Sequence, residues 1–324
     1  MRILLQFPEG LKQYAFIEAE RLKNEGHEVF ISASACYGAC DLPLEEARVI
    51  KADKIIHYGH NKFIKAKLNT AVEYVPWRVD IKLEGINELG EILRGKTIIL
   101  ATTVQHSHQI GYMIDVLKQF SIKVITSKGL IAEEECQVLG CDAGAIIRPL
   151  VSGAKVEAIL YIGSGTFHLK ALAYSDLPEL EGIPVFSFDP GTGKYSEITD
   201  MINSLRAKRR SAIALTCFAK TVGIVVSIKP GQFNLSGAKH AQSRLEKLGK
   251  LCYLLVCSEL TPDVIKNFVG FDALVVTACP RLSDDHERFG IPIINNNDLD
   301  LLEEMAKNTC TGAGKKPKNS SKSK

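Results

Sequence analysis

The chain repeats one order of predicted elements three times along its 324 residues. Each segment opens with a mostly apolar run typical of a buried parallel strand, at 3–7, 97–102 and 222–228. A predicted helix, a second strand, a short helix and a third strand follow in each case. A fourth strand is predicted at 184–188 in the second segment and at 291–294 in the third. Because strand–helix–strand connections build parallel sheets covered by helices, we predict an α/β fold of three pseudo-symmetric domains, each a small parallel sheet flanked by helices.

The predicted domains are separated where this alternation is interrupted, near 88–95 and 191–211. We therefore place the first domain at 1–92, the second at 93–200 and the third at 201–310. The segment 311–324 is rich in Lys and Ser and has almost nothing apolar to bury. We predict that this tail is disordered.

The charge distribution argues against direct nucleic-acid binding. Five lysines lie in the last ten residues, and removing their charges from the net +3 leaves −2 for the rest of the chain. The basic cluster Arg206–Arg210 is interpreted as the solvated face of a connecting helix, or alternatively as a docking patch for an acidic or RNA-bound partner.

The sequence predicts a cytoplasmic protein with no membrane association. No apolar run approaches the roughly 20 residues of a bilayer span. The apolar start, Met1 to Pro8, is too short for a signal peptide and is not followed by a small-residue cleavage site. In the cytoplasm, nine cysteines are not expected to form a disulfide framework.

Two cysteines occupy matching places in the repeat. Cys40 and Cys141 each follow the second strand of their segment, and each is followed by an aspartate. Cys279 follows the third strand of the last segment. The carboxyl ends of parallel strands lie at one edge of a sheet, where ligands bind in such folds. If the three domains close around an axis, we expect the three thiolates to meet at a central site.

If three thiolates hold a [4Fe-4S] cluster, one iron is left without a protein ligand. An open coordination position is typical of a catalytic metal site. The alternative is three unrelated core cysteines, since cysteine is among the most buried residue types. Cys36 and Cys40 form a C-x₃-C pair, but no C-x₂-C pair that would indicate a zinc ribbon is present.

Several loops at the predicted strand ends are polar and contain glycine. Close backbone approach at these loops could admit a nucleoside or an amino-acid group, although glycine is also the ordinary turn residue. Their histidines could equally be structural hydrogen-bond donors. The segment Asp189–Tyr195 departs from the P-loop pattern and is interpreted as a turn at a domain boundary.

Seven motifs in order resemble the diphthamide synthase family, in particular the archaeal 2-(3-amino-3-carboxypropyl)histidine synthases. The resemblance extends from Met1 to about Asn308. The motifs span residues 7–11, 37–41, 57–60, 103–106, 139–141, 227–232 and 277–281.

The resemblance implies a non-conventional radical S-adenosylmethionine enzyme with one cluster ligand per domain, which map to Cys40, Cys141 and Cys279. It implies transfer of a 3-amino-3-carboxypropyl group to C2 of a histidine imidazole in elongation factor 2, the first step of diphthamide biosynthesis, with release of methylthioadenosine. An electron donor and a homodimer are also expected. The residues that we expect to bind S-adenosylmethionine are Glu9, Gly10, His57, Gly59, Gln105, Gly163, Ser164, Gln232 and Arg281.

Three alternatives are kept open beside this hypothesis. Quinolinate synthase also places a three-cysteine cluster among three α/β domains, but uses the open iron for dehydration. A second possibility is a non-catalytic partner subunit, although the presence of all three cysteines favours a self-sufficient catalyst. A third is a metabolite-binding protein whose cysteines are merely buried, which would contain no iron.

Overall fold

The computed structural model describes residues 1–312. In the first segment the strands are β1 (Arg2–Gln6), β2 (Glu28–Ile31), β3 (Lys54–Tyr58) and β4 (Ala71–Val75), and the helices are α1 (Ala15–Asn24), α2 (Leu44–Val49) and α3 (Asn87–Ile92). The strands form one parallel sheet in the order β2-β1-β3-β4. Consecutive β1 side chains Leu4 and Leu5 are both buried, as expected for a central strand covered on two faces.

The second segment forms a five-stranded sheet. Its elements are β5 (Thr97–Thr102), α4 (Ile110–Lys118), β6 (Lys123–Ile125), α5 (Gly144–Val151), β7 (Ala158–Ile162), β8 (Val185–Asp189) and β9 (Lys194–Glu197). The order is β6-β5-β7-β8-β9, and only the pairing of β8 with β9 is antiparallel. All five residues of β7 are buried, which places this strand at the centre of the second core.

The third segment again forms four parallel strands. Its elements are α6 (Thr199–Cys217), β10 (Thr221–Ser227), α7 (Leu235–Lys247), β11 (Leu251–Cys257), α8 (Pro262–Lys266), β12 (Ala273–Val276), α9 (His286–Phe289), β13 (Ile293–Asn295) and α10 (Leu299–Gly312). The order is β11-β10-β12-β13. The Asn234 side chain caps α7 by accepting a hydrogen bond from Gly237 N, and α7 buries Ala238, Ala241 and Leu245 on one face.

The three sheets confirm the predicted repeat, because the first four strands of each have the same spatial order. Two strands were not predicted. β4 lies at an edge and is only half-buried, and β9 is short, polar and mostly exposed. The expected boundary turn Asp189–Tyr195 is instead the hairpin that joins β8 to β9. The connecting helix expected around Arg206–Arg210 is present as part of α6.

The chain divides into two compact units. The first contains residues 1–205 together with 229–232, and the second contains 206–228 and the residues from 233 onwards. The first unit thus holds two of the three sheets, and the limits of the three predicted domains stay a prediction. The predicted disordered tail lies, apart from the last two residues of α10, outside the described residues. Over residues 1–312, every helix is too short or too polar to cross a bilayer.

Candidate metal centre

The three candidate cysteine ligands lie after strands, as the repeat predicts. Cys40 lies between β2 and α2, Cys141 lies between β6 and α5, and Cys279 follows β12. Cys40 and Cys141 belong to the first unit, and Cys279 belongs to the second. Among residues 1–284 and 287–308, whose side chains the structure describes, no three His, Cys, Asp or Glu side chains are grouped as ligands of a single metal ion. A cubane cluster differs from a single ion because each thiolate binds a different iron.

Cys40 is contacted by a chain segment that is distant in sequence. Gln232 Nε2 donates a hydrogen bond to the sulfur of Cys40 over 3.4 Å, and Gly231 N donates to the Cys40 carbonyl over 2.9 Å. Lys229 forms an ion pair with Asp41, the residue after the cysteine, at 2.7 Å. Burial raises the pKa of the Cys40 thiol, and the hydrogen bond from Gln232 opposes that rise.

A chain of hydrogen bonds starts behind the Cys40 turn. The Gln6 amide donates from Nε2 to the Asp41 carbonyl over 2.6 Å, so its Oε1 faces His57 Nδ1, 2.7 Å away. Oε1 can only accept, which assigns the proton to His57 Nδ1. Burial, followed by the neighbouring His60, lowers the pKa of His57 to about 3, so this imidazole is neutral at pH 7 and its Nε2 accepts.

The relay ends at His60 beside the cysteine. His60 Nδ1 lies 2.9 Å from His57 Nε2 and must donate to it. Burial lowers the pKa of His60 to about 4, so its Nε2 carries a lone pair and no proton at pH 7. A Cβ on Gly38 would lie 3.9 Å from that nitrogen and 4.0 Å from the Cys40 sulfur. The His60 Nε2 acceptor and the Cys40 sulfur therefore both border the space beside Gly38.

Gly59 and Gln105 meet where β3 and β5 end. Gln105 Nε2 donates to the Gly59 carbonyl over 3.1 Å. Gly59 has φ +88°, and a Cβ there would lie 2.9 Å from Pro8 Cγ, so both its conformation and its neighbour require glycine. The structure thus brings two predicted site residues into direct contact and explains one as a structural requirement.

The loop that carries Cys141 is organised by the next residue. The Asp142 carboxylate accepts hydrogen bonds from the backbone N–H groups of Ile131, Ala132 and Gly144, at 2.5, 2.9 and 2.8 Å. Cys141 itself is exposed, whereas Asp142 is buried. The aspartate therefore holds the loop from within and leaves the thiol at the surface of the unit.

A second network ties this loop to the end of β3. Glu134 accepts hydrogen bonds from Arg78, Ser107 and Asn61, the residue that follows His60. Burial raises the pKa of Glu134, but these donors outweigh burial and lower it to about 2. An ionised Glu134 thus links the His60 loop to the Cys141 loop.

Of the other predicted site residues of the first unit, Glu9, Gly10 and Ser164 are exposed, whereas Gly163 is buried. Glu9 pairs with Lys12 at 2.7 Å and is largely exposed, as is Gly10. Ser164 is exposed and donates to Asp189 over 3.2 Å. Gly163 is buried, and a Cβ there would lie 2.7 Å from the Tyr161 hydroxyl, so a close approach explains that glycine.

In the second unit, Cys279 begins a tight turn. Leu282 N donates to the Cys279 carbonyl over 3.1 Å. Arg281 forms an ion pair with Asp284, and only 11% of the Arg281 side chain is exposed. Arg281 is thus held within its own turn.

Sequence reasoning missed the residues that support the cysteines. His60, Asp41 and Lys229 all lie in the motifs that carry the family resemblance, but their partners are far away in sequence. The Lys229–Asp41 pair joins residues 188 positions apart, and no periodicity indicates such a contact. For Asp41 and Asp142, the signal was the shared Cys-Asp pair, whose two different structural roles the sequence does not distinguish.

Comparison with known proteins places these features in one family. The family described as "Putative diphthamide synthesis protein" matches residues 7–311. The chain is 35% identical to 2-(3-amino-3-carboxypropyl)histidine synthase of Pyrococcus horikoshii, covering 93% of this chain and 85% of that protein. It is 28% identical to subunit 1 of the Gallus gallus synthase, covering 90% of this chain and 70% of that one.

The fold agrees with a solved relative. The crystal structure of Dph2 from Pyrococcus horikoshii with a 4Fe-4S cluster superposes with a TM-score of 0.80 at 33% identity. The superposition covers 94% of this chain and 86% of that chain.

Proposed function

The chain belongs to the diphthamide synthesis protein family, and we propose on that premise that it is a transferase acting as a 2-(3-amino-3-carboxypropyl)histidine synthase. In this reaction the bond from the S-adenosylmethionine sulfonium to Cγ breaks, and a bond forms to C2 of a histidine imidazole in elongation factor 2. The hydrogen on C2 is lost as a proton, and methylthioadenosine leaves. The observation that carries the proposal is the 35% identity to a named synthase over 93% of the chain.

We propose that Cys40, Cys141 and Cys279 are the ligands of a [4Fe-4S] cluster. Thiolates are the usual protein ligands of such clusters. Two contacts at Cys40 favour an anionic sulfur and oppose the effect of burial: Gln232 donates a hydrogen bond to it, and the Lys229 ammonium lies on the neighbouring Asp41. The Pyrococcus horikoshii structure with a 4Fe-4S cluster supports a cluster of this kind in the family.

When bound, such a cluster would supply an electron and an open iron at which the methionine part of S-adenosylmethionine can bind. The protein's own task is to hold the scissile bond and the target imidazole in place. His60 Nε2 is a fixed acceptor for a donor group on a ligand, and Gln105 and Gly59 hold the adjacent loops together. The broader set proposed above, from Glu9 to Arg281, stays a prediction.

Elongation factor 2 as substrate, an electron donor, a homodimer and a cytoplasmic location are proposals that rest on the family. The second unit has apolar surface suited to a partner. Tyr253 and Val256 on the edge strand β11 are half or more exposed, and so is Val269, which follows α8. Measurement of the mass in solution by light scattering tests the dimer.

The decisive experiment is anaerobic reconstitution with iron and sulfide, followed by dithionite and S-adenosylmethionine. Mass spectrometry would follow methylthioadenosine with and without elongation factor 2. We expect methylthioadenosine from the wild type and the mass increase of one 3-amino-3-carboxypropyl group on elongation factor 2. Cys40→Ala, Cys141→Ala and Cys279→Ala should each abolish both products.

Cys252→Ala is the matched control, because this cysteine is buried within β11 and packs in the core of the second unit. It should keep iron, colour and products. A wild type that binds no iron and forms no methylthioadenosine would contradict the proposal. Iron binding with dehydration of a small substrate, but no cleavage of S-adenosylmethionine, would favour the quinolinate-synthase-like alternative.

A further inference from the structure

The segment 229–232 contacts the Cys40 turn through three polar groups. Lys229 pairs with Asp41 at 2.7 Å, and Gly231 N donates to the Cys40 carbonyl over 2.9 Å. Gln232 Nε2 approaches the Cys40 sulfur to 3.4 Å. All three contacts involve Cys40 or the adjacent Asp41, so the segment 229–232 binds the Cys40 turn at several points at once.

Backbone contact and a shielded ion pair hold the segment 229–232 against the Cys40 turn and so position the Gln232 side chain. A Cβ on Gly231 would lie 2.5 Å from Cys40 Cα, so the two backbones are in direct contact. The Lys229 and Asp41 side chains are only 11% and 13% exposed, which shields the ion pair from solvent. The Lys229 ammonium also lies 4.3 Å from the centre of the Tyr37 ring.

We propose that Gln232 is a positioning residue that raises the reduction potential of the cluster through its hydrogen bond to the Cys40 sulfur. The inference rests on the proposed function, because it requires Cys40 to be a cluster ligand. Reduction adds negative charge that spreads onto the sulfurs, and an N–H donor stabilises the more negative state. Removing the donor therefore makes the cluster harder to reduce.

The test measures the midpoint potential by anaerobic redox titration, monitored by electron paramagnetic resonance. Gln232→Leu removes the donor, and Gln232→Glu removes it and adds a negative charge at similar size. We expect the potential to shift to more negative values in the order wild type, Leu variant, Glu variant. Gln119→Leu, at an exposed position after α4, should leave the potential unchanged.

A second readout reports the hydrogen bond itself. Electron–nuclear double resonance of the reduced wild type in normal and heavy water should reveal an exchangeable proton coupled to the cluster. That signal should disappear in Gln232→Leu. The midpoint potential does not depend on the fraction of protein that carries a cluster, so partial loading of a variant leaves the test intact.

The outcomes separate this inference from the proposed function. A wild type that binds no cluster overturns both. A wild type with a cluster, together with equal potentials in the wild type and Gln232→Leu, overturns only the role of Gln232. A potential that rises in Gln232→Leu also contradicts it, because loss of a donor cannot stabilise the reduced state.

Discussion

The Cys40 loop and the Cys141 loop begin from the same short sequence, a cysteine followed by an aspartate, and are held in opposite ways. Asp142 accepts hydrogen bonds from three backbone groups within its own region of the chain. Asp41 instead forms its short contact with Lys229, 188 positions away at 2.7 Å, and accepts one longer local hydrogen bond from Tyr37 N over 3.4 Å. The two segments of the repeat therefore share the position of the cysteine but differ in the contacts that stabilise the loop around it.

The largest effect is expected when the local hydrogen bonds of the Cys141 loop are removed. Asp142→Ala leaves three backbone donors without their carboxylate, and each such bond to a charged acceptor contributes about 1.5–3 kcal/mol. The free energy of local opening should fall by roughly 3 kcal/mol or more, which speeds amide exchange on the order of a hundredfold. Hydrogen exchange followed by mass spectrometry over 129–144 measures this.

Exchange in a peptide that covers 37–41 should not change in that variant. Asp115→Ala is the control, because this exposed residue pairs with Lys118 one turn away on the same helix. Equal loosening of both cysteine loops by Asp142→Ala would show that the two supports are not separate.

The second change disturbs the contact between the segment 229–232 and the Cys40 turn. Gly231→Ala forces a methyl group against the Cys40 backbone at 2.5 Å, and overpacking of this kind costs about 1–3 kcal/mol. We expect faster exchange in 37–41, unchanged exchange in 129–144, and less iron bound after anaerobic reconstitution. Gly111→Ala is the matched control, since a Cβ there meets nothing within 4 Å. Unaltered exchange and iron content in Gly231→Ala would show that the segment 229–232 does not stabilise the Cys40 turn.

Acid should weaken the link between the Cys141 loop and the His60 loop. The folded pKa of Glu134, about 2, lies below its unfolded value near 4.5, so its stabilisation is complete above about pH 4.5 and is lost as pH falls towards 2. The difference in melting temperature between wild type and Glu134→Gln should therefore be larger at pH 6 than at pH 3.

The exposed pair of Glu91 with Arg94 provides a control for this measurement. Glu91→Gln should change the melting temperature little at either pH, because solvent screens the pair. A difference for Glu134→Gln that grew on acidification would contradict the assigned ionisation.

The smallest expected effect concerns Glu9. Its pairing with Lys12 is exposed, so Glu9→Gln should change the free energy of unfolding by less than about 0.5 kcal/mol. If Glu9 binds S-adenosylmethionine, as the family resemblance implies, the same variant should weaken binding of the co-substrate in equilibrium dialysis. Unchanged binding would remove Glu9 from the site.

The sheets could be predicted because each depends on local patterns. Apolar runs such as Thr97–Thr102 match β5 residue for residue. β4 was missed because Ala71–Val75 alternates between exposed and half-buried positions, yet the repeat contained the missing signal. The other two segments each have a fourth parallel strand, so the repeat could have been used to predict one in the first segment as well.

The candidate site was predictable only in its cysteines. Cys40 and Cys141 could be found by their place in the repeat, but the His57–His60 relay depends on which atoms face each other across two strands. The pairing of Gln232 with Cys40 depends on the path of the chain through the fold. Neither the relay nor the Gln232–Cys40 pairing can be recognised from sequence periodicity, because side-chain hydrogen bonds between distant segments impose no regular spacing.

The separation of Gln232 from Cys40 has a consequence for how the protein is made. The two residues are 192 positions apart, and ribosomes add about 5–20 residues per second, so the amide that bonds the sulfur is synthesised on the order of 10–40 s after the cysteine. During that interval the Cys40 turn exists without the segment that grips it. The surroundings of Cys40 in the first unit are therefore completed late in translation, by the segment 229–232 that follows β10.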